Sequence, residues 1–99
     1  MAILFEWDEK KAKANLQKHK VDFSDAKSVF GDPFSITIDD PDHSGQEQRF
    51  IDVGKSMRGN LLVVVYTERE NRIRIINCRR ATPAERKKYE EQFEKTQKS

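Results

Sequence analysis

Two consecutive arginines, Arg79 and Arg80, follow an apolar segment and directly precede a helix start in NCRRATPAER, residues 77–86. An arginine guanidinium is always charged and binds two phosphate oxygens at once. The free amides at the start of a helix also attract anions. Successive strand residues point to opposite faces, so at most one of the two arginines faces a given groove. The stretch predicts a phosphate site with Arg79 in it, and the alternative is an ion pair with an acidic residue across the sheet.

A second charged group, Glu68 and Arg69, lies in YTEREN, residues 66–71, where the sequence predicts a turn. A turn there would hold a carboxylate close to a guanidinium. Turns on the protein surface are also commonly charged for solubility alone. Both interpretations of this pair stay open.

His19 is a candidate for proton transfer because histidine side chains change charge near neutral pH. Lys11, Asn15 and His19 follow one another at four-residue spacing, which places them along one ridge of a helix. We expect that ridge to face a ligand. A single histidine near a helix end also caps carbonyl groups or interacts with the helix dipole, so this alternative stays open.

Hydrophobic periodicity predicts the elements that position these residues. A short strand is followed by two helices, four strands and a C-terminal helix. The first helix is capped by Asp8, and the last begins with Thr82, Pro83 and Glu85 as N-cap, first-turn proline and capping-box acid. In chain order the segments are AILFEW, EKKAKANLQKHK, VDFSDAKSVFG, FSITIDD, EQRFIDVGK, LLVVVYT and RIRIINCR, then the helix.

These elements predict one α+β domain over residues 1–99, with a small, mostly antiparallel sheet, two N-terminal helices and a C-terminal helix. The continuously apolar LLVVVYT is typical of a central strand covered on both sides. The few polar residues that follow it favour a hairpin with RIRIINCR, in which arginine alternates with isoleucine.

Charge is distributed unevenly along the chain, although the net charge is only +2. Residues 34–54 contain five acids and one base, whereas residues 55–81 contain seven bases and two acids. The second block also contains the most apolar segment, so it predicts arginines carried on a sheet. Such a surface suits a polyanion such as nucleic acid, and the alternative is an ordinary solvated surface.

Cysteine and apolar content exclude several protein classes. The single cysteine, Cys78, cannot form an intramolecular disulfide, and together with two histidines it gives no set at metal-ligand spacing. We therefore expect a reducing compartment, no metal and no cofactor. Glu6 and Asp8 interrupt the N-terminal apolar run, and no other run is long enough to span a membrane. These features predict a soluble, cytoplasmic protein without a membrane partner.

Four motifs in order resemble the BrnT family of toxins from bacterial type II toxin–antitoxin systems, over about residues 5 to 89. They are FEWDEKKAKANLQKHKVDF, VFGDP, LLVVVYTER and RIRIINCRRATPAERKKY. The resemblance implies a RelE-like fold, a ribonuclease activity that inhibits translation, and neutralisation by a BrnA-type antitoxin. Operator DNA would be bound only through that antitoxin. The residues that match the family's polar positions are Trp7, Asp8, Lys11, Asn15, His19, Glu47, Arg49, Arg69, Arg79 and Arg86.

The chain departs from the family pattern at two places. Lys20 occupies a position where the family usually has glycine, which would cost about 1 kcal/mol if the backbone there is left-handed. Asn77 and Cys78 replace the common Ser-Ala before the arginines, a change that concerns local packing.

The resemblance also suggests roles for the candidate residues. RNA is cleaved without metal when its own 2′-hydroxyl is activated against the adjacent phosphate, which requires a base, an acid and positive charge. We expect Arg69 and Arg79 to hold the scissile phosphate and His19 or Glu68 to transfer protons. The residues expected to bind RNA are Lys11, Asn15, Arg49 and Arg80. The alternative is a non-catalytic module that binds nucleic acid or a protein through the same basic sheet.

Overall fold

The computed structural model describes residues 3–39 and 48–98 as an α+β structure. The strands are β1 (Leu4–Glu6), β2 (Ile36–Asp39), β3 (Arg49–Lys55), β4 (Leu61–Arg69) and β5 (Arg72–Arg80). The helices are α1 (Glu9–His19), α2 (Phe23–Lys27), which continues as a 3-10 turn at Ser28–Gly31, and α3 (Pro83–Lys98). The predicted order of elements is confirmed, and Glu47 lies outside the described residues.

Local capping explains where α1 begins and ends. The Asp8 side chain accepts hydrogen bonds from the N–H groups of Lys10 (2.8 Å) and Lys11 (3.3 Å), so the predicted N-cap is confirmed. Lys20 closes the helix in the left-handed conformation (φ 60°), and its N–H donates to the Leu16 carbonyl at 3.0 Å. The chain therefore has a lysine where a C-terminal glycine would fit without strain.

The sheet is mixed, with strand order β1-β5-β4-β3-β2. The three pairings among β2, β3, β4 and β5 are antiparallel in the described residues, and the β4–β5 hairpin is confirmed. β1 instead pairs with β5 in parallel. The prediction of a mostly antiparallel sheet missed this edge, because a parallel pairing across a long crossover leaves no turn signal between its strands.

Both faces of the central strands are buried, as predicted for LLVVVYT. On one side, which we call the α1 face, α1 and α2 cover the sheet, and Phe23, Leu62 and Val64 are fully buried. On the opposite side, which we call the α3 face, Tyr89 of α3 packs with Leu61 and Val63. No helix in residues 3–39 and 48–98 is long and apolar enough to cross a membrane.

A β-bulge in the β4–β5 hairpin decides which arginines share a face. Val65 pairs with Asn77 and Tyr66 pairs with Ile75, so one residue of β5 between these two pairs has no pairing partner on β4. Arg74 and Arg79 are five residues apart and would point to opposite faces of a regular strand. The extra residue places both on the α3 face.

Candidate functional site

Four arginines lie together at one end of the α3 face. Strand register brings Arg74, Thr67 and Arg49 into one row across β5, β4 and β3, and pairs Arg72 with Arg69 in the neighbouring row. Residues two strands apart are separated by about 10 Å, so all four guanidinium groups reach a common surface. We call Arg49, Arg69, Arg72 and Arg74 the arginine patch.

The arginine patch remains accessible because α3 packs over the other end of the same face. The Arg72 side chain is 58% exposed and Arg69 is also exposed, whereas Arg74 is 31% exposed. Below them Thr67 is buried and donates to the Gln48 carbonyl at 2.8 Å. The arginine side chains therefore extend outward from a hydrogen-bonded part of the sheet.

The Glu6 carboxylate contacts two arginines of the patch. Glu6 of β1 is directly opposite Arg74 in the parallel pairing, and its Oε2 accepts a hydrogen bond from Arg74 Nη1 at 2.7 Å. Its other oxygen, Oε1, lies 3.9 Å from Arg72 Nη1. Among these five side chains four are positive and one is negative, and such a group of guanidinium groups suits a multiply charged anion.

Lys11 lies in the first turn of α1, close to Asp8 at the β1 edge of the sheet. Backbone hydrogen bonds from Lys11 and Lys10 lower the pKa of Asp8, and the charges of Lys11 and Arg74 lower it further. Arg74 and Lys11 thus act on the same carboxylate at the β1 edge of the sheet. Of the residues predicted from the sequence, the structure brings Arg49 and Arg69 to this surface, while Lys11 belongs to α1, which covers the opposite face.

Arg79 has a different environment at the far end of β5. Its Nη1 and Nη2 donate to the two carboxylate oxygens of Glu85, each at 2.8 Å, and Nη1 also donates to the Arg80 carbonyl. Glu85 forms the predicted capping box with Thr82, whose N–H donates to Glu85 at 2.8 Å. Hydrogen bonds from Arg79 lower the pKa of Glu85 to about 2. The ion-pair alternative for Arg79 is therefore present, with its partner on α3 rather than across the sheet.

Arg80 and His19 lie away from the arginine patch. Arg80 follows Arg79 on the strand, points to the opposite face and donates to the Asn60 side chain at 3.1 Å. His19 ends α1 about 16 Å along the helix from Asp8, at the end that packs beside Cys78. The predicted catalytic residues are thus divided between two ends of β5.

The prediction that Asn15 faces RNA is wrong, because Asn15 is 7% exposed. Its amide nitrogen donates to the Val21 carbonyl at 3.0 Å and contacts Cys78 Sγ at 3.2 Å, and its oxygen accepts from the Cys78 N–H at 3.1 Å. Burial raises the pKa of the Cys78 thiol to about 12. Asn15 therefore joins α1 to β5, and Cys78 is a core residue.

Glu68 points away from Arg69 although the two are adjacent. Glu68 lies on the same face of β4 as Tyr66, whose hydroxyl donates to the buried Asp52 at 3.0 Å. Burial raises the pKa of Asp52, and the charge of Glu68 raises it further. The structure does not bring Glu68 to the arginine patch.

Sequence reasoning missed three members of the site, namely Arg72, Arg74 and Glu6. The alternation of arginine and isoleucine in RIRI was a usable signal for the first two, because it places both arginines on one strand face. Glu6 depended on the parallel β1–β5 pairing, for which the sequence has no local signal.

The fold and the arginine patch together define a small α+β protein with a surface suited to a phosphate-rich ligand. Residues 7–85 match the model of the family described as the ribonuclease toxin BrnT of type II toxin–antitoxin systems, and the chain belongs to this family. The structure is similar to the 1.1 Å crystal structure of the Brucella abortus ribonuclease toxin BrnT, with a TM-score of 0.60 and 20% sequence identity. That match covers 82% of this chain and 99% of the Brucella chain. No curated protein matches this sequence.

Proposed function

We propose that this protein is an endoribonuclease toxin that cleaves RNA without a metal ion and thereby inhibits translation. Membership of the ribonuclease toxin family gives the reaction class. The observation that carries the proposal is the arginine patch, in which three neighbouring strands present guanidinium groups at one accessible end of the α3 face. On this proposal the fold is a RelE-like scaffold for the patch.

The arginines supply what phosphodiester cleavage requires. As the 2′-oxygen attacks phosphorus, negative charge develops on the phosphoryl oxygens, and fixed guanidinium groups stabilise it. Arg69 and Arg72 would hold the scissile phosphate at the exposed end of the hairpin. Arg49, two strands away from Arg74 in the sheet, and Lys11, near the β1 edge, would bind the neighbouring phosphates of the RNA.

The proposal gives Arg79 and His19 no part in phosphate binding. Arg79 is already bound to both carboxylate oxygens of Glu85, so phosphate would have to displace a cap of α3. It also lies about 15 Å along the strand from Arg74. We therefore propose that Arg79 stabilises the start of α3 and that cleavage takes place in the arginine patch.

A protein antitoxin follows from the type II toxin–antitoxin family, and we propose that it is of the BrnA type. Because the patch is positively charged, an acidic segment of the antitoxin would bind it and compete with RNA. Operator DNA would then contact the antitoxin rather than this chain. Both proteins would act in the cytoplasm, where the RNA that this chain cleaves is translated.

The test is cleavage of an end-labelled single-stranded RNA by the purified protein in EDTA. We expect fragments with 5′-hydroxyl ends and cyclic or 3′-phosphate ends, because the 2′-hydroxyl is the nucleophile. The matched substrate carries 2′-O-methyl groups and should bind without being cut. Intact RNA from a folded protein that still shifts its mobility would contradict the proposal and favour the binding module.

Translation provides the second readout. Adding the protein to a cell-free translation reaction should stop synthesis, and prior incubation with a BrnA-type antitoxin should restore it. Continued synthesis at protein concentrations that fully cleave free RNA would contradict the translational part of the proposal.

A further inference from the structure

Glu6 is placed differently from the other carboxylates whose contacts hold this fold. Asp8 caps α1, Glu85 caps α3, and Asp32 accepts hydrogen bonds from the Tyr89 hydroxyl (2.7 Å) and the Lys55 N–H (2.8 Å). Glu6 instead faces two members of the arginine patch across the β1–β5 pairing. Its side chain is 28% exposed, so solvent and substrate reach it.

The two arginines hold the Glu6 carboxylate in a defined orientation. Oε2 accepts the hydrogen bond from Arg74 at 2.7 Å, while Oε1 lies 3.9 Å from the nearest Arg72 nitrogen. Each carboxylate oxygen accepts more than one hydrogen bond. Oε1 therefore keeps the capacity to accept a hydroxyl proton beside the place where Arg72 would bind a phosphate.

We propose that Glu6 is the general base of the reaction, an inference that rests on the proposed ribonuclease function. Glu6 Oε1 takes the proton from the 2′-hydroxyl while the 2′-oxygen forms a bond to the adjacent phosphorus. The bond between phosphorus and the 5′-oxygen breaks, and the 5′-oxygen takes a proton from water and leaves as an alcohol. The hydroxide so formed takes the proton from Glu6, which returns the carboxylate to its initial state.

The position of Glu6 fits this role better than the position of His19. A base must lie within hydrogen-bond reach of the proton that it removes from a substrate whose phosphate is held in the site. Glu6 already touches an arginine of the patch, whereas His19 lies about 16 Å along α1 from Asp8 at the patch edge. When Arg72 binds the scissile phosphate, the 2′-hydroxyl of the adjacent ribose would lie next to Glu6.

The test compares Glu6→Gln with wild type under single-turnover conditions in EDTA, with RNA affinity measured separately. Glutamine keeps an acceptor for Arg74 but is not a base, so we expect cleavage to fall by about 10² to 10⁴-fold. Affinity for the 2′-O-methyl RNA should stay equal or increase, because a negative charge leaves the patch. The matched control is Glu9→Gln, an exposed glutamate in the first turn of α1, which should cleave at the wild-type rate.

A merely structural Glu6 gives a different pattern. If Glu6→Gln cleaves within about threefold of wild type, the base assignment is overturned. Glu6→Gln could instead lower the melting temperature and cleave at the wild-type rate at any temperature at which the variant is folded. The carboxylate would then have only a structural role, and the base assignment would again be overturned. Glu6→Asp, which keeps the base but shortens the chain, should retain more activity than Glu6→Gln.

His19→Gln provides an independent test if Glu6→Gln does not fold. Because Glu6, and not His19, is assigned as the base, we expect His19→Gln to cleave RNA within about threefold of the wild-type rate. A loss of about 10²-fold or more in folded His19→Gln would overturn the assignment and favour His19.

These experiments distinguish failure of the proposed ribonuclease function from failure of the assignment of Glu6 as the base. Wild-type protein that does not cut RNA refutes the proposed function, and with it the role of Glu6. Wild-type protein that cuts RNA, together with an equally active Glu6→Gln, refutes only the base assignment and leaves the ribonuclease in place.

Discussion

Replacing Lys20 with glycine should stabilise the protein. Lys20 has φ 60° and ψ 29°, a left-handed conformation that costs an ordinary residue about 1 to 2 kcal/mol. Its side chain is exposed, and the hydrogen bond that closes α1 comes from its backbone N–H, which glycine also has. Glycine is more flexible in the unfolded chain, which offsets part of the gain. We expect the free energy of unfolding to rise by about 1 kcal/mol and the melting temperature by about 4 °C.

Urea denaturation followed by tryptophan fluorescence measures this change directly. The single tryptophan, Trp7, packs edge-on against the buried Phe23, so its emission reports loss of the core. The midpoint should increase while the slope of the free energy with urea stays constant, because the exposed surface does not change.

Two control variants isolate the backbone contribution. Lys20→Ala removes the charge but keeps the Cβ atom, so its stability should stay within about 0.3 kcal/mol of wild type. Gly59→Ala makes the opposite change at φ 85°, where a new Cβ would contact nothing within 4 Å, and should cost about 1 kcal/mol. The reasoning is refuted if Lys20→Gly is no more stable than wild type, or if Lys20→Ala gains as much.

Three further predictions follow from buried or capping contacts. Asn15→Ala leaves the Val21 carbonyl and the Cys78 N–H without their partner, so urea denaturation should show a loss of about 2 to 3 kcal/mol while the folded fraction still cleaves RNA. Glu85→Gln should cost about 1 kcal/mol at pH 7, because it removes an ion pair at the start of α3. The wild-type pKa of Glu85 is about 2 and lies below the ordinary value of 4.5, so this stabilisation is present above pH 4.5 and is lost as pH falls towards 2. Thermal melts at several pH values should show a larger loss of stability on acidification in wild type than in Glu85→Gln. Gly54→Ala would place a Cβ 2.8 Å from Val29 Cγ1 and should lower the melting temperature, with a cost of about 1 to 3 kcal/mol.

Much of the fold could be predicted because its signals are local. Asp8 and the capping box of Thr82 and Glu85 predict where α1 and α3 begin. The apolar LLVVVYT predicts a strand buried on both faces. The parallel placement of β1 has no such signal, since it depends on packing between residues that are distant in sequence.

The candidate site was harder to predict, because several polar side chains turned out to be partners within the fold. Asn15 lies on the predicted ridge of α1 but points into the core, where Cys78 and Val21 satisfy its amide. Arg79 has the environment expected for a phosphate ligand, yet Glu85 already occupies its guanidinium. A sequence shows which side chains can bind phosphate, and only the assembled sheet shows which of them face solvent together.

The measurement that most directly tests the central claim is the cleavage rate of single-stranded RNA in EDTA by matched arginine variants. Arg69→Gln and Arg72→Gln remove charge from the arginine patch, while Arg58→Gln removes an exposed arginine from the turn at the other end of β3. We predict that each patch variant loses about 10² to 10³-fold in kcat/KM and that Arg58→Gln stays within about threefold of wild type. Equal rates in all three folded variants would contradict the claim that the arginine patch carries the reaction.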